Sequence, residues 1–457
     1  MINIKIDSRK VMPGDTFVAI KGSVVDGHDF IDKAIANGAN KVVVSNGQTY
    51  PVETINVENT NEYLNNYLVT NYADKFKDIK FIGVTGTNGK TTTAYMTYQI
   101  LRKFNINVAY IGTIGFYYND KFEKTLNTTP DILATYELVL KAYNEGCKIV
   151  ILEASSIGLV EGRLNGIKFD AAVYTNLTHD HLDYHKNMHN YLNAKLLLFK
   201  NLKPDGTAII NIDDKYYKEF ICPKTITYGF NDDADIKCIK YDNTFANFSF
   251  TYDNKIYNIS SPLFGKYNVS NVLASIGILI TLNIDIEKAC NNYCKLLPPS
   301  GRINIINYKS NKIIIDYAHT PDGVKQVLSS AVNLTSGKTY VVFGCPGNRD
   351  RAKRPMMGKI VNKYADFFVI TDDDPHYEDE LRIINDITKG LVSNKYIVEK
   401  DRKKAIKKAF SMLKENDSLL VLGKGHEDAI VIKDKHIPHN DYKYITSLIE
   451  EEKVSIN

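Results

Sequence analysis

Apolar runs alternate with amphipathic stretches along the chain, in an order typical of α/β proteins. Near the N-terminus, short β-branched runs at residues 17–22 and 41–45 flank a helical stretch at residues 30–40. This strand–helix–strand pattern predicts a small α/β domain over residues 1–77.

The next part of the chain, residues 78–298, contains apolar runs without a polar face. Runs of this kind suit parallel strands that helices cover on both sides, so we predict a second domain built on a parallel sheet. Its strands are expected at residues 80–84, 107–112, 148–154 and 207–213, and its helices at residues 92–104 and 193–202. Residues 225–262 alternate polar with aromatic side chains instead, which predicts a small antiparallel sheet beside the parallel one.

The strand–helix rhythm restarts after Pro-Pro-Ser-Gly-Arg at residues 298–302, which we interpret as a hinge. A third α/β domain is therefore predicted over residues 299–457. Its strands are expected at residues 312–318, 339–344, 367–371 and 418–423.

Composition narrows the class of protein. Hydrophobic residues make up 44% and charged residues 24% of the 457 residues, and the formal net charge is +4. These values suit a soluble globular protein and do not predict nucleic-acid binding. The six cysteines form no Cys-x-x-Cys pair, which favours reduced thiols. The N-terminus has no apolar signal core and the longest apolar stretch, residues 272–282, is short, so we expect a cytoplasmic protein without membrane insertion.

The most specific motif is Thr-Gly-Thr-Asn-Gly-Lys-Thr, which lies between a predicted strand and a predicted helix. Gly86 and Gly89 would let backbone N–H groups approach phosphate oxygens at the helix N-terminus. Lys90 would supply a positive charge, and Thr91 a hydroxyl ligand for Mg²⁺. Val84 stands where the standard motif has its first glycine, and an ordinary strand–turn–helix junction is the structural alternative. The Asn-Lys-x-Asp motif of GTPases is missing from the sequence, which disfavours that class.

Glu153 ends a predicted strand, and the carboxyl end of a parallel strand faces the ligand crevice. It is a candidate magnesium ligand, with helix capping as the structural alternative.

Residues 174–199 hold four histidines and two aspartates, a composition that zinc sites share with polar surface turns. Lys195 lies on an apolar helix, where burial would favour its neutral amine. A neutral amine can take up CO₂ and become a carbamate, which is an oxygen ligand.

Together these blocks resemble the Mur ligase family, and the resemblance runs over residues 7–442. Motifs similar to those of the whole family lie at residues 85–93, 153–156, 175–185, 265–275 and 300–302. Blocks similar to those of its MurE branch lie at residues 7–22, 26–31, 316–322, 344–355, 372–379 and 423–428.

The resemblance implies a small UDP-binding domain, a central ATPase domain and a Rossmann-like C-terminal domain that binds the incoming amino acid. It implies an ATP-dependent acid–amino-acid ligase that adds a diamino acid to the D-Glu of UDP-N-acetylmuramoyl-L-Ala-D-Glu through an acyl phosphate. ATP and two Mg²⁺ ions would be needed, and the product would serve peptidoglycan synthesis, cell shape and cell division. We expect a monomer. A related ligase acting on a modified precursor, or on folates, and a nucleotide-binding regulator without catalysis are the alternatives.

The resemblance also implies roles for individual residues. Those with implied catalytic roles are Lys90, Glu153, His181 and Lys195. Those with implied metal-binding roles are Thr91, Glu153, His181 and carbamylated Lys195. The implied nucleotide site comprises Gly86, Thr87, Asn88, Gly89, Lys90, Thr91, Thr92, Asn268, Arg302 and Asp316. The implied precursor site comprises Ser8, Ser23, Val24, Val25, Asn127, Thr128, Thr129, Ser155, Glu161 and Arg163. The implied pocket for the incoming amino acid comprises Arg349, Asp373, Asp374, Pro375, His376, Gly423 and Glu427.

Three departures from the family pattern affect these expectations. Residues 373–376, Asp-Asp-Pro-His, stand where ligases that add meso-diaminopimelate usually carry Asp-Asn-Pro-Arg. The arginine would have held the distal carboxylate in a bidentate fork, and a more acidic pocket favours a distal ammonium, so we expect L-lysine or ornithine. Glu161 stands where glutamine is frequent, which raises the prospect of a modified precursor. The chain begins close to its Asp-Ser-Arg block, from which we expect a less complete UDP pocket.

Overall fold

The computed structural model describes residues 2–22, 25–332 and 334–456. It has three successive domains, each with its own β-sheet, as the sequence predicted. The N-terminal sheet is parallel, in the order β1-β2-β3-β4. Its elements are β1 (Ile4–Lys5), β2 (Thr16–Val18), α1 (Ile31–Ala36), β3 (Lys41–Val44), β4 (Glu53–Asn56) and α2 (Thr60–Tyr72).

The central domain carries an eleven-stranded sheet in the order β15-β14-β13-β12-β11-β10-β5-β9-β6-β7-β8. Its first elements are β5 (Lys80–Thr85), α3 (Lys90–Lys103), β6 (Val108–Gly112), β7 (Gly115–Tyr118), β8 (Lys121–Glu123), α4 (Ile132–Asn144), β9 (Ile149–Glu153) and α5 (Ser156–Val160). They are followed by β10 (Phe169–Tyr174), α6 (Leu182–His185), α7 (Met188–Lys200), β11 (Leu202–Asn211), β12 (Thr225–Gly229), β13 (Ile236–Tyr241), β14 (Asn247–Tyr252), β15 (Lys255–Ser260), α8 (Lys266–Thr281) and α9 (Ile286–Tyr293).

The strands from β6 to β13 in this order run parallel, and the apolar runs of β5 and β9 are buried as predicted for strands covered on both faces. The predicted antiparallel strands are found in β13 to β15, which continue the same sheet at its edge. β12, within the same stretch of sequence, instead pairs parallel with β11 and β13. Helices α3 and α8 pack on one face, and α4 and α7 on the other.

The C-terminal domain has a six-stranded sheet in the order β16-β17-β21-β18-β19-β20 and a separate hairpin of β22 and β23. Its first elements are β16 (Asn304–Tyr308), β17 (Asn311–Asp316), α10 (Pro321–Ala331), β18 (Thr339–Phe343), α11 (Lys353–Tyr364), β19 (Phe367–Ile370) and α12 (Glu380–Thr388). They are followed by β20 (Tyr396–Val398), α13 (Arg402–Ser411), β21 (Ser418–Leu422), β22 (Ala429–Ile432), β23 (Lys435–Pro438) and α14 (Asp441–Ile456). All but β16 run parallel in the large sheet.

Strand order fixes where the loops meet. β5 lies between β9 and β10, and all three point the same way, so the segments after their carboxyl ends gather at one edge of the central sheet. None of the helices in the described part of the chain combines the length and apolar character needed to cross a membrane.

Candidate active site

A cleft of about 1300 Å³ opens between the central and C-terminal domains. Its walls come from the segments after β5, β9 and β10, from the start of α8 and from the first loops of the C-terminal domain. The predicted site residues that line it are Thr87, Asn88, Gly89, Lys90, Thr91, Thr92, Asn127, Thr128, Thr129, Ser155, Arg163, His181, Asn268, Arg302, Asp316, Arg349 and Glu427. Residues assigned from the sequence to nucleotide, metal, precursor and amino-acid sites therefore share one cavity.

Other predicted residues are not part of this lining. Those in the described part of the chain are Ser8, Val25, Gly86, Glu153, Glu161, Lys195, Asp373, Asp374, Pro375, His376 and Gly423. Ser8 and Val25 belong to the N-terminal domain, whose described residues do not line the cleft, and Ser23 and Val24 lie outside the described residues. Glu153 contacts residues of the wall directly, and Lys195 is connected to the wall through Tyr191.

The loop between β5 and α3 has the backbone of a phosphate-binding loop. Gly89 is left-handed (φ 89°), and a Cβ there would collide with the side chain of Asn271. The Asn88 N–H donates to the side-chain oxygen of Asn176 over 2.9 Å, which ties the loop to the segment after β10. Helix α3 begins at Lys90 on the cleft wall, where its N–H groups and dipole favour a bound phosphate.

The amine of Lys90 lies inside this loop. It donates to the carbonyls of Gly86 and Thr87, both over 2.9 Å. Burial lowers the pKa of Lys90, while the carboxylates of Glu153 and Asp180 act in the opposite direction. A lysine at this position is placed to neutralise a phosphate at the loop.

Glu153 ends β9 beside the phosphate loop, and its carboxylate is fully buried. Thr91 donates its hydroxyl to Oε2 over 2.9 Å. Thr113 donates its N–H to Oε1 over 3.0 Å and its hydroxyl to Oε2 over 3.1 Å, and the phenol of Tyr110 donates to Oε1. A carboxylate next to a threonine hydroxyl offers the hard oxygen ligands that Mg²⁺ prefers, so these residues fit a magnesium ion.

His181 and Lys195 both come from the segment after β10; His181 lines the cleft, and Tyr191 connects Lys195 to the phosphate loop. The buried amine of Lys195 lies 4.4 Å from the ring centre of Tyr191, whose hydroxyl is 3.2 Å from that of Thr87. Burial lowers the pKa of Lys195 well below its ordinary value, and the charge of Lys90 lowers it further. Both effects act toward the neutral amine, which is the form that carbamate formation requires.

Asp180 joins the two domains across the cleft. Its carboxylate lies 3.3 Å from Nε2 of His181, 3.6 Å from the amine of Lys353 and 4.0 Å from Nε2 of His319. Burial acts to raise the pKa of Asp180, but His181 and Lys353 outweigh it and hold that pKa well below its usual range. Burial also lowers the pKa of His319 to about 3, so this ring is neutral near pH 7.

Two further contacts hold the C-terminal domain over the phosphate loop. Nε2 of His179 lies 2.6 Å from the Asp350 carboxylate, and the side-chain amide of Asn88 donates to Asp322 over 3.1 Å. The two sides of the cleft are thus held together by polar contacts next to the phosphate loop.

Three residues of the implied nucleotide site meet where α8 approaches the hinge, namely Asn268, Arg302 and Asp316. Asn268 is buried in α8 and accepts a hydrogen bond from the side chain of Asn271 over 3.0 Å. The guanidinium of Arg302 lies 4.6 Å from the ring centre of Tyr317, and burial raises the pKa of the neighbouring Asp316. This end of the cleft therefore combines a flat aromatic and cationic surface with a buried carboxyl group, which suits a nucleoside.

The residues assigned to the precursor form a hydrogen-bonded strip. The hydroxyls of Thr129 and Ser155 lie 2.9 Å apart, and Arg163 donates to the Thr129 carbonyl over 2.7 Å. Glu161 engages the other edge of that guanidinium, accepting from Nε over 2.9 Å and from Nη2 over 2.5 Å. The acid at position 161 is accommodated because it pairs with Arg163 instead of lining the cleft.

The assigned amino-acid pocket is built around a buried lysine, Lys424, that the motifs did not mark as a site residue. Its amine lies 2.5 Å from Glu427, 2.7 Å from Asp374 and 4.0 Å from Asp373. Although burial opposes them, these carboxylates raise the pKa of Lys424. The additional negative charge of Asp374 is therefore paired within the protein, and the pocket is less acidic than its sequence implies.

His376 has a left-handed backbone (φ 52°), and its N–H donates to the Val431 carbonyl over 3.0 Å. Burial lowers the pKa of His376, although Asp374 acts to raise it. The ring is held toward its neutral form and offers no permanent charge to a carboxylate. Arg349, which does line the cleft, remains as a cation for this purpose.

Several groups in and behind the cleft wall were not predicted, namely Tyr110, Thr113, His319, Lys353 and Lys424. His319, Lys353 and Lys424 stand inside blocks that resemble the family, so their position in those blocks was an available signal. Tyr110 lies in an apolar strand, so the sequence contained no signal that it is part of the site.

The chain is similar to known proteins over nearly its whole length. Residues 2–77 match the family model described as the Mur ligase family catalytic domain, residues 84–279 the Mur ligase middle domain, and residues 301–425 the Mur ligase glutamate ligase domain. The UDP-N-acetylmuramoyl-L-alanyl-D-glutamate–2,6-diaminopimelate ligases of Clostridium tetani and Aquifex aeolicus are 39% and 38% identical to the chain. Each alignment covers 98% of it, with 95% and 93% of the relative. A solved structure of a ligase with the same name is 31% identical, with a TM-score of 0.67 over 99% of this chain and 95% of the other.

Proposed function

The chain belongs to the Mur ligase family, and we propose that it joins a diamino acid to the D-glutamyl carboxylate of UDP-N-acetylmuramoyl-L-alanyl-D-glutamate. The observation that carries the proposal is that one cleft is lined by three groups of residues. These are the phosphate loop, the hydrogen-bonded strip that contains Thr129 and Arg163, and Glu427 of the amino-acid pocket. Nucleotide, carboxylate and amine would meet there. Because the reaction uses ATP and a UDP-linked precursor, we propose that it takes place in the cytoplasm.

The proposed reaction has two steps. A carboxylate oxygen of the precursor attacks the γ-phosphorus of ATP, which releases ADP and leaves an acyl phosphate. The amine of the diamino acid then attacks the acyl carbon, loses a proton and expels inorganic phosphate as the amide forms. Phosphorylation is needed because a free carboxylate is a poor electrophile.

The residues of the cleft have distinct parts in these steps. Lys90 and the N-terminus of α3 would hold the nucleotide phosphates and neutralise charge during transfer. When bound, Mg²⁺ on Thr91 and Glu153, and a second ion on His181 and the carbamate of Lys195, would supply further positive charge. Docking of the C-terminal domain would exclude water, which otherwise hydrolyses the acyl phosphate.

The test is a phosphate-release assay with purified protein and ATP. Phosphate release should require the UDP-linked dipeptide and a diamino acid together. One amide should form for each phosphate released. Release with ATP alone would point to a simple ATPase. Nucleotide binding without release under any combination would favour a non-catalytic regulator. A requirement for a different UDP-linked peptide would favour a ligase acting on a modified precursor.

For the incoming amino acid we propose L-lysine, or a similar diamino acid with a distal ammonium such as ornithine. Oδ1 of Asp374 accepts from Lys424 and from the Val431 N–H, both over 2.7 Å. Among the described residues Oδ2 has no such donor, and it can accept from an ammonium where an asparagine would present an N–H group. The lowered pKa of His376 also favours lysine, because a neutral ring attracts the distal carboxylate of diaminopimelate less than an arginine would. The second candidate is 2,6-diaminopimelate, which appears in the names of the relatives.

Competition between the two amino acids decides between these candidates. We expect a higher kcat/KM for L-lysine. The double variant Asp374→Asn, His376→Arg should shift the ratio toward diaminopimelate by about 10–100-fold, since one charged hydrogen bond contributes about 1.5–3 kcal/mol. Preference of the wild type for diaminopimelate would contradict the lysine proposal and leave the ligase proposal intact.

A further inference from the structure

The cluster of four tyrosines beside the phosphate loop contains one hydroxyl that reaches the candidate metal site. Tyr95, Tyr98, Tyr110 and Tyr117 pack with ring centres 5.2–6.4 Å apart. Tyr110 is fully buried in β6, and its phenol donates to Oε1 of Glu153. An apolar residue would fill this position in the strand equally well, so packing alone does not account for the hydroxyl.

The two oxygens of the Glu153 carboxylate have different surroundings. Oε1 faces β6 and accepts from the Tyr110 phenol and from the Thr113 N–H. Gly112 lies so close to this oxygen that a Cβ there would collide with it. Oε2 accepts from the hydroxyls of Thr91 and Thr113, both of which line the cleft. Oε1 is therefore held by donors of β6 and of the turn after it, whereas Oε2 is held by two hydroxyls that line the cleft.

We propose that Tyr110 is a positioning residue that holds Glu153 as a one-oxygen ligand, with Oε2 presented to the divalent cation beside Thr91. The inference rests on the proposed function, because it concerns the cation that the ligase reaction uses. Partners of this kind orient metal ligands, and their loss commonly weakens metal affinity by about 10–100-fold.

The role follows from the chemistry of a buried carboxylate. Without the phenol, Oε1 would accept only from the Thr113 N–H. The carboxylate could then rotate and bring both oxygens toward the cation. The phenol is a hydroxyl donor, and it lies within hydrogen-bonding reach of Oε1. Strand β6 and the neighbouring tyrosines hold the ring in place. The hydroxyl donor is therefore in position before the cation binds.

The test compares Tyr110→Phe with Tyr98→Phe. Both changes remove one hydroxyl and keep the ring, but the phenol of Tyr98 donates to the Asn119 carbonyl and not to Glu153. Mn²⁺ affinity is measured by electron paramagnetic resonance on ADP-loaded protein, and the Mg²⁺ dependence of the ligase reaction in parallel. Circular dichroism confirms that each variant is folded.

Tyr110→Phe should raise the Mn²⁺ dissociation constant and the half-activating Mg²⁺ concentration by about tenfold. Saturating Mg²⁺ should restore most of the activity, and Tyr98→Phe should leave both constants within twofold of wild type. A Tyr110→Phe variant whose metal constants match those of Tyr98→Phe would overturn the inference, as would a wild type that binds no Mn²⁺. Absence of ligase activity in a wild type that does bind Mn²⁺ would instead contradict the proposed function.

Discussion

The pair of Asp180 and Lys353 offers a quantitative test of how the cleft is held closed. The two charges lie 3.6 Å apart, and both side chains are at most 5% exposed. With an effective dielectric constant of about 20, two unit charges at this distance attract by about 4.6 kcal/mol. Part of this attraction offsets the cost of removing both charges from water. His181 and His319 also remain near Asp180 when Lys353 is replaced, so we expect a net coupling energy of about 2–3 kcal/mol.

The perturbation is a double-mutant cycle with Asp180→Asn and Lys353→Met, measured as free energies of unfolding from urea titrations followed by circular dichroism. Lys353→Met alone should destabilise by about 3 kcal/mol, because it leaves the Asp180 carboxylate buried without its nearest lysine. Lys359→Met, an exposed position on the same helix, is the matched control and should stay within about 0.5 kcal/mol. A coupling below about 0.5 kcal/mol would refute the reasoning.

Three further results are expected. Lys195→Ala should abolish turnover in the phosphate-release assay, with no recovery on added bicarbonate, whereas near-normal activity would eliminate the carbamate proposal. Glu161→Gln should change the KM for the precursor by less than about fivefold, since an exposed ion pair such as that with Arg163 is worth about 0–1 kcal/mol; a larger effect would place Glu161 in direct contact with substrate. Because the pKa of His319 is lowered to about 3 in the folded protein, the unfolded chain binds the extra proton between about pH 6.5 and 3, and stability falls as pH drops through that window. His319→Asn should reduce this acid sensitivity in urea titrations at pH 7, 6 and 5, and an unchanged pH profile would exclude His319 as its source.

Local patterns predicted the parts of the site that lie within one stretch of chain. The loop from Gly86 to Thr91 follows an apolar strand and opens a helix, so its geometry depends on neighbours in sequence. Glu153 was placed correctly at the end of a strand because the carboxyl ends of parallel strands share one edge of a sheet. Continuous apolar runs likewise identified β5 and β9 as interior strands, and both are buried in the structure.

The contacts that could not be predicted join distant segments. Pairing of Lys353 with Asp180 depends on how the C-terminal domain docks, and hydrophobic periodicity carries no information about that orientation. Lys424 changes the charge of the amino-acid pocket, but only folding places it beside Asp374. The antiparallel direction predicted for β12 was wrong, because an alternating pattern is compatible with parallel as well as antiparallel pairing.

The proposed reaction depends on conversion of the precursor's glutamyl carboxylate to an acyl phosphate in the cleft. The most direct measurement uses precursor labelled with ¹⁸O in both oxygens of that carboxylate and follows the inorganic phosphate by mass spectrometry. We expect one ¹⁸O atom to enter phosphate for each amide formed, because the attacking carboxylate oxygen leaves with the phosphoryl group. Unlabelled phosphate released during amide formation would contradict it.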